Sequence, residues 1–164
     1  MYPDEIGAAE AVLRVYPDAL MELSEREEFL QGVCSGGGPG DDVRVDGGSS
    51  VPSGERYAAA VEADARLQCA RRIITAVQAG LATLNRNEDR VVRKVFFERL
   101  KPVDAAASLE LSPSYTRSLV DSARSKSAPF CIPAYPSACE LRRVRENERR
   151  ARLKALSEDG GIRN

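Results

Sequence analysis

The 164-residue chain contains no histidine and no tryptophan, and only 5% of its residues are aromatic. Without histidine, a Ser-His or Cys-His nucleophile pair cannot be built, nor can a mixed Cys/His zinc site. The four cysteines, Cys34, Cys69, Cys131 and Cys139, form no C-x-x-C pair. Spacing of that kind is usual in structural zinc sites, so reduced cysteines and no metal are expected. Apolar runs long enough for a membrane span, about 20 residues, are also missing. The first ten residues lack the basic start and apolar run of a secretory signal. A cytoplasmic protein without membrane contact is the expectation.

With so few aromatics, any core must be aliphatic. The composition, 43% hydrophobic and 30% charged, fits charged helices around such a core. Charge is unevenly spread. Residues 1–66 hold 5 Lys/Arg against 14 Asp/Glu, residues 67–131 hold 11 against 6, and residues 132–164 hold 8 against 5. An acidic front followed by basic segments is a pattern found in nucleic-acid binders, though solvated helices share it.

The pattern of apolar residues predicts an all-α fold in four parts. Residues 1–30 form a helical N-terminal segment, with Ile6, Ala9, Leu13, Leu20, Leu23 and Leu30 at mostly three-to-four spacing. Pro17 is expected to split or kink it. Residues 31–56 are rich in Gly, Ser, Pro and Asp and read as a flexible linker. They lack the Gly-Lys-Ser/Thr ending of a phosphate loop and the closing Glu of a calcium loop. Residues 57–127 are the expected helix-turn-helix domain, and it opens with a helix over 57–84. Ile73, Ile74, Val77, Leu81 and Leu84 make one stripe, interrupted by Gly80, which is tolerable if it permits close packing. Asn85 and Glu88 make a capping-box start for a helix over about 86–98, with Val91, Val92, Val95 and Phe96 inward. Residues 128–164 comprise an extended connector containing Pro129, Pro133 and Pro136, then a basic tail helix. Arg142, Arg143, Arg145, Arg149, Arg150 and Arg152 alternate with glutamates there, as on a solvated face.

Residues 101–126, KPVDAAASLELSPSYTRSLVDSARSK, meet the requirements of a helix-turn-helix. Pro102 suits a first helical position and Asp104 complements the helix dipole. Ala105, Ala106 and Leu109 give a close-packing inner face, and Leu111 plugs the turn. Ser112 is a strong N-cap and Pro113 starts the second helix. Leu119 and Ala123 point inward, with Thr116 or Val120 beside them. Ser112, Ser114, Tyr115, Arg117, Ser118 and Arg124 are the candidate DNA-contacting residues. Arg117 lies early in the second helix, where base contacts occur in this motif. Arg124 is the better candidate for phosphate. Tyr115 is equally suited to recognition and to packing on the turn.

From Leu84 to Lys126 the chain resembles region four of bacterial sigma factors, through Leu84, Glu88, Val91-Val92, Ala105-Ala106 and Leu111-Ser112. Its wider layout is similar to the RinA/ArpU-like phage regulators. Glu110 departs from the pattern where a turn glycine is common, and Thr116 where a branched apolar residue is usual. The resemblance implies a phage or prophage transcriptional regulator that binds double-stranded DNA near a promoter. No enzymatic activity and no cofactor are expected. Two other functions share these features: a small-terminase-like DNA-recognition subunit, and a module that binds RNA polymerase without DNA specificity. A homodimer is expected if the N-terminal helices pair.

Overall fold

The computed structural model describes residues 4–35 and 53–159, and among these there is no strand. The helices are α1 (Glu5–Ser35), α2 (Ser53–Ala63), α3 (Ala65–Leu81), α4 (Arg86–Val92), α5 (Pro102–Leu109), α6 (Pro113–Cys131) and α7 (Tyr135–Asp159). A π-helical turn (Arg93–Phe97) extends α4, and a 3₁₀ turn (Ile132–Ala134) joins α6 to α7. None of the described helices is long and apolar enough to cross a membrane.

Local sequence explains most of the helix ends. Asp64 caps α3 by accepting from the Leu67 N–H at 2.9 Å, which breaks the expected 57–84 helix into two. At α4, Asn85 accepts from the Glu88 N–H at 2.9 Å, and the Glu88 carboxylate accepts from the Asn85 N–H at 2.8 Å. The capping box therefore forms as expected.

Prolines interrupt the helices less than the sequence suggests. α1 runs unbroken through Pro17, with Leu13 and Ala19 buried on either side. The segment 128–138 is not extended. Pro129 lies in the last turn of α6, Pro133 in the 3₁₀ turn and Pro136 in the first turn of α7. A missing N–H matters little in a first turn. Meanwhile Cys131, Ala134 and Ala138 gain burial against the core, so packing overrides the local preference. Burial also pushes the Cys131 thiol up to about 11, so it remains protonated and packs as a small apolar group. The helices also trim the expected linker, because α1 continues to Ser35 and α2 begins at Ser53. The rest of that stretch, 36–52, lies outside the described residues.

One buried aliphatic cluster unites the helices. It draws Val12 and Leu13 from α1, Ile73 and Val77 from α3, and Val91 and Val92 from α4. Leu119 and Ala123 of α6 and Leu141 of α7 complete it. Residues from before 30, from 57–127 and from beyond 128 thus meet in the same core. Gly80 permits a close approach of α3 to α6: an added Cβ there would stand 2.9 Å from the Ser127 Cβ. Among the described residues Phe96 is the largest fully buried side chain, with the guanidinium groups of Arg14 and Arg124 over its ring at 5.4 and 5.8 Å. A smaller cluster of Leu30, Val61 and Leu67 holds α2.

Candidate nucleic-acid interface

The segment 101–126 folds as a short helix, a three-residue turn and a longer helix. Pro102 stands in the first turn of α5, and Lys101 precedes it without a side-chain cap. Ala105, Ala106 and Leu109 are buried, giving α5 its small inner face. At the end of α5 the chain reverses at Glu110, whose φ of 56° and ψ of 39° are left-handed. The Leu111 N–H donates to the Ala106 carbonyl at 3.0 Å and the Glu110 N–H to the Ala107 carbonyl at 3.3 Å. These two bonds are those of a Schellman turn, which normally places glycine at the left-handed position. Glu110 adopts that conformation without glycine, so the departure in sequence does not change the turn.

Ser112 then caps α6, its Oγ accepting from the Tyr115 N–H at 3.3 Å. Thr116, Leu119, Val120 and Ala123 are all buried. Thr116 fills a core position as the branched apolar residue would, but its hydroxyl has no hydrogen-bond partner among the described residues. With that side packed inward, Ser112, Ser114, Tyr115, Arg117 and Ser118 are all exposed on the first turns of α6. Arg117 makes no ion pair among the described residues, nor does Lys101. The positive end of the α6 dipole also lies here. Asp104, Glu110 and Asp121 are exposed nearby in the chain, so the face is polar rather than uniformly basic.

Arg124 is placed differently from the other five. Only 25% of its side chain is exposed, and it pairs with Glu10 of α1 at 3.0 Å and with Asp121 at 3.4 Å. It thus ties α6 to α1 beside Phe96.

The structure adds a support that sequence alone did not reveal. Glu88 is buried, and beyond its capping role it accepts from Ser122 Oγ at 2.7 Å and from Lys126 Nζ at 2.7 and 2.9 Å. Burial raises the Glu88 pKa, but hydrogen bonds from Lys126, Ser122 and the Asn85 N–H, with the Lys126 charge, outweigh it. The net effect holds the carboxyl below its usual value. This one carboxylate locks α4 to the middle of α6. The capping box in the sequence marks half of its role, while its partners on α6 lie 34 and 38 residues away.

No family model matches the chain, and neither a curated protein nor a solved structure matches it.

Proposed function

We propose that the protein is a sequence-specific DNA-binding transcriptional regulator, with α5 and α6 as a helix-turn-helix and α6 as its recognition helix. One observation carries this reading. A short helix with a small-residue inner face is followed, after a three-residue turn, by a capped helix whose first turns are polar and open to solvent. Such a helix can enter the major groove, about 12 Å wide, with its N-terminal residues toward the base edges. In this scheme Arg117 reads a base, guanine being its best partner through O6 and N7. Ser114, Tyr115 and Ser118 make further base or phosphate contacts, and Ser112 sets the start of the helix. Lys101 and the α6 N-terminus attract phosphate. Arg124 supports the helix from behind through Glu10 instead of touching DNA. The resemblance to phage regulators adds a promoter region as the target.

Selection from a randomised duplex library, followed by fluorescence anisotropy at several salt concentrations, tests the reading. The expected result is an enriched sequence whose affinity falls about 10-fold or more with Arg117→Ala, in line with the discrimination of one base contact. Binding without enrichment would reduce the function to phosphate attraction. No binding at low salt would refute it and favour a module that acts through RNA polymerase.

A further inference from the structure

Two patches of helix surface lie open among the described residues, at the same end of the molecule, and they carry opposite charge. α7 runs beside α1 in the same direction. Tyr135 and Arg142 face Ala11 and Asp18 across a groove, and farther along Arg145 pairs with Glu22 at 2.9 Å and Glu25 at 3.0 Å. Glu148 then pairs with Arg66 of α3 at 2.7 Å. Beyond Glu148, α7 continues to Asp159, and its side chains are exposed from Arg149 through Ser157. About 16 Å of helix therefore projects from the body. Three turns of helix are not stable by propensity alone. This tip presents Leu153 and Leu156, 58% and 69% exposed, among Arg149, Arg150 and Arg152, with no acidic residue from 149 to 157.

The complementary patch is on α1. Glu22, Arg26, Phe29 and Val33 follow one another at helical spacing along a single stripe. Glu22 is fully buried beneath α3 and α7, whereas Phe29 and Val33, farther along, are 55% and 63% exposed. Arg26 lies over one face of the Phe29 ring at 5.0 Å and leaves the rest open. Residues 20–33 contain four glutamates and one arginine, and Glu25 and Glu28 stand exposed beside the stripe. Within one chain the tip and the stripe leave each other uncovered.

We propose that two copies of this chain form a two-fold symmetric dimer, with the α7 tip of each copy lying on the acidic, apolar end of the partner's α1. The pairing buries leucines against Phe29 and Val33 and sets arginines beside glutamates. Because tip and stripe share one end of the molecule, a two-fold axis through that end satisfies both junctions together. Each small contact is then made twice, which doubles the area buried.

Light scattering of the eluting full-length protein across a concentration series, without DNA, tests this. The expected mass is twice the 17.8 kDa of the chain, with dissociation favoured by high salt. Leu153→Asp/Leu156→Asp should weaken the dimer about 10-fold or more per leucine. Phe29→Asp, or Val33→Asp if that variant misfolds, should weaken it similarly. Circular dichroism should show both variants folded. Mixing a tip variant with a stripe variant restores one intact junction of the two, so partial dimer should return. A monomer at every concentration would overturn the proposal and leave the stripe to a segment of the same chain or to another protein. A dimer that tolerates Phe29→Asp and Val33→Asp would overturn it in favour of tip-to-tip pairing. A dimer that tolerates all the variants would place the interface elsewhere.

Discussion

Replacing Glu88 by glutamine should uncouple helix capping from the charge that anchors α6. The glutamine carbonyl can still accept from the Asn85 N–H. Its NH2 group, standing in place of Oε1, cannot accept from Lys126 and turns the Ser122 hydroxyl from donor to acceptor, while the second Lys126 bond remains only to a neutral carbonyl. Breaking a buried pair costs about 3–5 kcal/mol when the remaining charge is trapped. Here the remaining charge is Lys126, whose side chain is 43% exposed and can return to water. The expected loss is therefore smaller, about 1.5–3 kcal/mol, the value of a charge-assisted hydrogen bond. Glu88→Ala keeps the Asn85 cap but also removes the reciprocal bond to the Asn85 N–H, and should lose about 1 kcal/mol more. Lys126→Met should be worse than Glu88→Gln, because it leaves the buried carboxylate unpaired.

Acid supplies the control. The folded-state pKa of Glu88 lies below the usual 4.5. Its stabilising contribution is therefore full above 4.5 and disappears as pH falls through the lowered folded value, because the unfolded chain takes up the proton first. Asp64 and Glu148 are also held low. For Asp64, burial raises the pKa but Arg26 and backbone N–H groups outweigh it. For Glu148 the main cause is the bond from Arg66. Wild type and variant share these two groups, so their effects cancel in the difference. Urea unfolding followed by circular dichroism should show a gap between wild type and Glu88→Gln at neutral pH that closes in acid. Equal stability at neutral pH, or a gap independent of pH, would refute the reasoning.

Three further substitutions probe the fold around the interface, each by the same unfolding measurement. Gly80→Ala should destabilise by about 1–3 kcal/mol despite the better helix propensity, because the new Cβ meets the Ser127 Cβ at 2.9 Å. A gain in stability would mean that α3 and α6 separate without strain. Glu110→Gly should stabilise by about 0.5–1 kcal/mol by relieving the left-handed φ of 56°, and a loss would show that the turn relaxes in solution. Thr116→Val should stabilise by about 1 kcal/mol, since it removes a buried hydroxyl without a partner and keeps the shape; destabilisation would mean that the hydroxyl is satisfied.

The sequence by itself determined the all-helical architecture and much of the 84–126 segment. Asn85 and Ser112 cap the helices they were expected to cap, and Ala105, Ala106, Leu109, Leu119 and Ala123 all turn inward. These features are legible because their causes are local: a cap acts across three residues, and an apolar stripe repeats within one helix. Tertiary structure decided the rest. Arg124 turns from the open face toward Glu10, more than a hundred residues earlier. Glu88 finds Ser122 and Lys126. The proline segment at 128–138 becomes helical because Cys131, Ala134 and Ala138 are buried. The basic tail, expected to be solvated, divides at Glu148 into a half that packs on α1 and α3 and a half that stands clear. Each outcome depends on groups distant in the chain and brought together by burial. The energy of those contacts outweighs local preference, and no window of neighbouring residues contains them.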